Sequence, residues 1–140
     1  MYDKVFIALM NTNAAHWEQM RGCFEQMGLT EGQPKVLYVL RAVEGCVQKE
    51  LAEACRVRES TLTVLLRKME EKGYIRKEKV VVSGSKLANA IYLTDCGREL
   101  SDRIDEKVEE LEKKSFEGFT DKEKKQLFKL LYRVENNLKS

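Results

Sequence analysis

The chain holds few of the groups that perform covalent chemistry. Its one histidine, His16, cannot build a multi-histidine metal site or serve a set of triads. Its four cysteines, Cys23, Cys46, Cys55 and Cys96, stand far apart without a C-x-x-C pair, which argues against a zinc ribbon or a disulfide framework. There is no glycine-rich phosphate loop, and the carboxylates are dispersed rather than convergent. We therefore expect no enzyme, no metal and no cofactor. The residues that do gather are hydrogen-bonding ones: Ser60, Thr61, Thr63, Arg67 and Lys68 fall within one short segment, and hydroxyls with a guanidinium suit phosphate oxygens and base edges alike.

The frame that must hold them is a single domain-sized chain of 140 residues, 43% hydrophobic and 34% charged, with one proline. No window of about 18 apolar residues occurs, and the N-terminal segment lacks a basic start followed by a clean apolar core, so we expect a cytoplasmic protein with no membrane contact. The net charge of +2 says nothing by itself about partners, but its distribution does. Residues 49–86 carry ten basic and six acidic side chains, whereas each flank is slightly acidic.

Apolar residues at three- and four-residue intervals from Tyr2 to Met27 predict a long first helix ending near Gly28. Thr30-Glu31-Gly32-Gln33 has the form of a capping box for a second helix that runs to about Val43, with Pro34 in its first turn. A short third helix starts at Gln48, a tight turn covers residues 56–58, and a fourth helix follows from Glu59 to Lys72. In that helix Leu62, Leu65, Leu66 and Met69 form one stripe, and Ser60, Val64, Arg67 and Glu71 the opposite one. Two β-prone runs, 74–83 and 88–94, flank the polar tip Ser83-Gly84-Ser85-Lys86 and predict a hairpin. Thr94 caps a fifth helix, and a second capping box, Thr120 to Glu123, opens a sixth.

The fold class expected is thus mainly α with a small β-hairpin. Two short helices joined by a tight turn and followed by a hairpin are the element order of a winged helix-turn-helix, in which the second helix enters a major groove and the hairpin straddles phosphates.

Leu29-Thr30 with Gln33, Leu51-Ala52, Val57, Ser60-Thr61-Leu62-Thr63, Met69-Glu70, Gly73-Tyr74-Ile75 and Leu93-Thr94 with Gly97 occur in an order and spacing that resemble the MarR family of bacterial transcriptional regulators. The resemblance implies residues 29–94 as the DNA-binding winged helix and residues 1–28 and 95–140 as a helical dimerisation region. It further implies a homodimer on a near-palindromic operator in double-stranded DNA, usually a repressor released by a small apolar or aromatic effector. Ser60, Thr61, Thr63 and Arg67 match positions that face DNA in the family. Lys68, Arg56 and Arg58 would be phosphate contacts, and Val64 could meet a thymine methyl or be an ordinary surface valine.

The chain also departs from the family pattern. Arg56 and Arg58 stand where small or capping residues are usual, so Glu59 or Ser60 is expected to cap the fourth helix. The wing's usual Asp-x-Arg reads Ser85-Lys86-Leu87, which leaves Lys77, Lys79 and Lys86 to supply charge there. That weak wing favours the rival reading, a winged helix used as a protein-interaction module. His16, Trp17, Met20 and Tyr38 could line an effector pocket, although aromatic and methionine stripes at helical spacing are more often core or dimer seam. Cys96, in the first turn of the fifth helix, is the best-placed redox candidate, but a purely structural cysteine is the simpler reading.

Overall fold

The computed structural model describes residues 3–139 and contains six helices and one hairpin: α1 (Val5–Gln26), α2 (Gln33–Val43), α3 (Gln48–Cys55), α4 (Glu59–Glu71), β1 (Ile75–Ser83), β2 (Lys86–Leu93), α5 (Asp95–Ser115) and α6 (Asp121–Lys139). Residues up to 107 form one compact unit and those from 108 onward a second. Tyr2, where the helical period begins, lies outside the described residues.

The core of the first unit is built from one face of each element. Leu37 and Leu40 of α2, Leu51 and Cys55 of α3, Leu62, Leu66 and Met69 of α4, Ile75 and Ile91 of the hairpin and Ile104 of α5 are all essentially inaccessible to water. At about 25 cal/mol per Å² of apolar surface removed from water, this shared core holds the helix-turn-helix and the wing together. On α1 only the C-terminal part of the apolar stripe, Met20 and Phe24, is buried. Val5, Phe6 and Met10 remain exposed.

Two helix starts differ from expectation. For α2 the Thr30 hydroxyl does not cap: the helix begins later, at Gln33, with Gly32 at the N-cap and φ at 89°. Half of the box survives, because the Thr30 N–H donates to Gln33 Oε1 at 3.1 Å. Glycine adopts this left-handed φ without strain, and a Cβ there would lie 3.1 Å from a methyl group of Leu65, so the Leu65 side chain would have to give by a few tenths of an ångström. For α4 neither Glu59 nor Ser60 caps; Arg58 is the N-cap residue and its side chain makes no capping bond. The preceding turn fixes the start instead. Arg56 adopts φ 59°, its N–H donates to the Glu53 carbonyl at 3.2 Å, and the Val57 N–H donates to the Ala52 carbonyl at 3.1 Å, closing α3 and redirecting the chain.

Gly73 ends α4 with φ 80°, as its type and position predict. The antiparallel strands pair from Ile75 opposite Leu93 to Ser83 opposite Lys86, with an irregularity between Val81 and Ser83, and β2 begins two residues earlier than the sequence suggests. The segment before α3 joins this sheet. Val47 bridges Ala90, the Gly45 N–H donates to the Ile91 carbonyl at 2.8 Å, and the Ile91 N–H donates to the Cys46 carbonyl at 2.9 Å. The wing is therefore anchored by backbone bonds to the entry of the helix-turn-helix.

Thr94 caps α5 as expected, accepting from the Gly97 N–H at 3.0 Å. Three side-chain links tie α5 to α2 and the residue that follows it: Arg98 to Glu44 at 2.7 Å, Arg41 to Asp102 at 2.6 Å, and the buried Ser101 hydroxyl donating to the Leu37 carbonyl at 3.0 Å. In the second unit the Thr120–Glu123 box is complete, with bonds of 2.9 and 3.1 Å. Phe116 packs edge-on against Phe119 and Phe128, at centroid distances of 5.3 and 5.5 Å. No described residue of α6 is buried, although Leu127, Leu130, Leu131 and Leu138 lie along it.

Candidate nucleic-acid interface

The outward face of α4 is positioned by its inward one. Because Leu62, Leu66 and Met69 are locked in the core, the helical period leaves Ser60, Thr61, Val64, Arg67 and Lys68 in water on the other side. Leu65 is half-buried at the edge of the stripe. Arg58, at the start of the helix, is also exposed. Apart from Val64, this is a row of donors on one helix, fit to hydrogen-bond phosphates and base edges without disturbing the core.

Thr63 has a different place. Its hydroxyl donates to the Glu59 carbonyl at 2.9 Å and accepts from Gln48 Nε2 at 2.6 Å, so it joins the first turn of α3 to α4. Nothing in the local sequence singles out Gln48. The pairing is fifteen residues apart, and only the crossing of the two helices creates it.

On the hairpin, Arg76 pairs with Glu78 and sits 4.4 Å over the Tyr92 ring, and Lys77 reaches Glu70 of α4 at 3.6 Å. Lys79 and Lys86 are exposed, and so are Val81, Val82 and Leu87. A groove of about 490 Å³ separates this tip from the start of α3 and α4 and is lined by Val47, Gln48, Lys49, Glu59, Val82 and Leu87 among others. Lys49, which no sequence motif marks, shares this lining with Lys86 and with the Glu59 carboxylate.

The effector and redox candidates are scattered. A second groove, of about 500 Å³, is lined by Met10, Asn13, Ala14 and Trp17 of α1 and by Glu31. Of the four residues expected to line a pocket, it takes in Trp17; Met20 is buried in the core, and His16 and Tyr38 are exposed outside the lining. Cys55 is fully buried and Cys46 half-buried, and burial pushes both thiols up, away from the reactive thiolate. Cys96 is exposed.

Two helices set across a tight turn, an outward donor-bearing second helix and an anchored hairpin define a winged helix-turn-helix protein. The MarR family model matches residues 29–81. The homoprotocatechuate degradative operon repressor of Escherichia coli is 31% identical over 132 residues, which cover 94% of this chain and 87% of the repressor. Among solved structures, MepR of S. aureus in complex with DNA superimposes with a TM-score of 0.79 at 23% identity, covering 96% of this chain and 95% of MepR. NadR in complex with 4-hydroxyphenylacetate gives 0.78 at 22% identity, covering 95% and 93%. The chain belongs to the MarR family, whose members are DNA-binding transcriptional regulators and not enzymes. Among the described residues, no helix is long and apolar enough to cross a membrane.

Proposed function

We propose that the chain is a homodimeric, sequence-specific repressor that binds a near-palindromic operator in the cytoplasm and is released by a small apolar or aromatic ligand. The observation that carries the reading is the two-faced α4, in which an exposed row of Ser60, Thr61, Val64 and Arg67 backs onto fully buried Leu62, Leu66 and Met69. Residues 29–94 form the DNA-binding part, with Arg67 reading a base edge, Ser60, Thr61, Lys68 and Arg58 on phosphate or base atoms, and Lys79 and Lys86 on phosphates. The likeness to a MepR–DNA complex supports this arrangement.

Residues 1–28 and 95–140 form the dimerisation region. The uncovered Phe6 and Met10 on α1 and Leu130, Leu131 and Leu138 on α6 support it, because apolar rows of this kind call for a second copy. The α1 groove beside Trp17 is the place for an aromatic effector, by analogy with the ligand of NadR.

Selecting duplexes from a random pool with the full-length protein, then titrating at several salt concentrations, tests the reading. A selected duplex bound about a thousandfold more tightly than its scramble is expected. Equal, weak binding of both would overturn it and favour a protein-interaction module.

A further inference from the structure

We propose that the groove on α1 takes an organic cation, an ammonium group carried on an aromatic body; the inference rests on the effector reading above and names the charge of that ligand. Met10, Asn13, Ala14 and Trp17 line the groove at the i, i+3, i+4 and i+7 positions of one helix stripe, and Glu31 closes it from the turn that leads into α2. At about 500 Å³ the space suits a small molecule. Its wall is apolar and polarisable, with Met10 56% and Trp17 40% exposed. Buried Phe24 backs the Trp17 ring at a centroid distance of 6.0 Å and leaves the rest of the indole open to a guest.

The charge of the wall decides what that guest must be. Among the described lining residues Glu31 alone is ionised, and no described cation pairs with its exposed carboxylate. The next residue along the α1 stripe, Arg21, is held by Glu18 at 3.0 Å and by Glu25 at 4.0 Å. An aromatic acid would therefore set its own carboxylate beside that of Glu31 with no counter-charge in the wall. A cation meets complementary groups instead: the Glu31 carboxylate, the Asn13 amide oxygen and the face of the indole, the side chain whose ring attracts a cation best. The site also reaches the DNA-binding face. Glu31 adjoins Gly32, where an added Cβ would lie 3.1 Å from a Leu65 methyl of α4, so a ligand that draws Glu31 inward moves the turn against which the recognition helix packs. Binding that differs between the two positions of this turn shifts the protein between them.

The test uses the full-length protein, whose sole tryptophan is Trp17, so that its fluorescence reports this groove. The probes are benzyltrimethylammonium, its uncharged carbon isostere neopentylbenzene, and phenylacetate. The ammonium should shift the Trp17 emission saturably and bind about tenfold more tightly than either of the others, through charge pairing and cation–π contact together. Glu31→Gln should remove that advantage and Glu31→Asp should keep part of it. Because Glu31 is exposed, neither substitution should alter the thermal melt. The ammonium, and not phenylacetate, should release a duplex selected from a random pool. Tighter binding of phenylacetate, or an ammonium affinity unchanged by Glu31→Gln, would overturn the cation site while leaving an effector groove in place. No saturable change with any probe would overturn the effector reading itself, and the inference with it. Ammonium bound through Glu31 that leaves the duplex in place would overturn the link from this site to α4.

Discussion

Gly97 lies so close to Tyr74 that a Cβ at position 97 would stand 1.9 Å from the Tyr74 carbonyl oxygen. The same carbonyl accepts from the Thr94 N–H at 3.1 Å, and the Thr94 hydroxyl donates to the Gly73 carbonyl, so the first turn of α5 is pressed flat on the chain entering β1. Backbone on both sides cannot give way. Gly97→Ala should destabilise the protein by at least about 2 kcal/mol in a denaturant melt, at the upper end of overpacking costs. Gly22→Ala, with nothing within 4 Å of the added carbon, should instead stabilise α1 by about 0.5–1 kcal/mol. A native-like midpoint for Gly97→Ala would show that α5 does not seat there.

The Glu44 carboxylate accepts two bonds of 2.7 Å from Arg98 and one of 3.0 Å from the Leu93 N–H. Arg98 first, and then that N–H, hold its pKa below the ordinary glutamate range against the opposing effect of burial. A lowered folded pKa means that the contribution is fully present above the unfolded value, near 4.3, and is lost as pH falls through the folded one. The melting temperature of native protein should exceed that of Glu44→Gln at neutral pH, and the gap should narrow as pH falls below the unfolded value and close once it has passed below the folded one. A gap that is constant across this range would assign the loss to packing rather than to charge.

Dimerisation should depend on the uncovered row of α6. Leu130→Glu combined with Leu131→Glu adds no buried charge to the single chain, since both positions are exposed in it. Sedimentation should nevertheless show loss of the dimer, and a thermal melt should give a lower midpoint that no longer rises with protein concentration, as that of the native dimer should. A native protein that sediments as a stable folded monomer at micromolar concentration would contradict the assignment of α1, α5 and α6.

Arg67 and the wing lysines should divide their roles. Arg67→Ala should cost about 1–3 kcal/mol on the selected duplex and less on scrambled DNA, if the guanidinium reads a base edge. Lys79→Ala and Lys86→Ala should weaken both DNAs alike and reduce the salt slope by about 0.9 for each phosphate no longer neutralised. Equal weakening on both duplexes for Arg67→Ala would make it a phosphate ligand.

Thr63 offers a check on the α3–α4 joint. Thr63→Val keeps the shape but removes the hydroxyl that Gln48 and Glu59 share, at a cost of about 1 kcal/mol in stability, while Thr63→Ser should be tolerated better. A fall in affinity far larger than the fall in stability would mean that the hydroxyl also meets DNA.

Much of this organisation is local, and local physics is written in the sequence. The helical period of Leu62, Leu66 and Met69 by itself determines which face of α4 looks outward, because 3.6 residues per turn leave no alternative. The complete box of Thr120 and Glu123, the Thr94 cap and the glycine that closes α4 depend on neighbours three or four residues away, and each formed where its residues predict. The tertiary structure decided what depends on distant pairs. Gly32, which packs against Leu65 thirty-three positions away, takes the N-cap of α2 with a left-handed φ, and the helix starts past Thr30. Gln48 claims the Thr63 hydroxyl, Glu70 claims Lys77, and the turn through Arg56 sets the start of α4 without a side-chain cap. Spacing along a chain specifies faces and caps. Which donors are engaged within the structure and which remain exposed for a partner is decided only when helices cross, because a hydrogen bond or an ion pair is set by a few ångströms in space and not by separation in sequence.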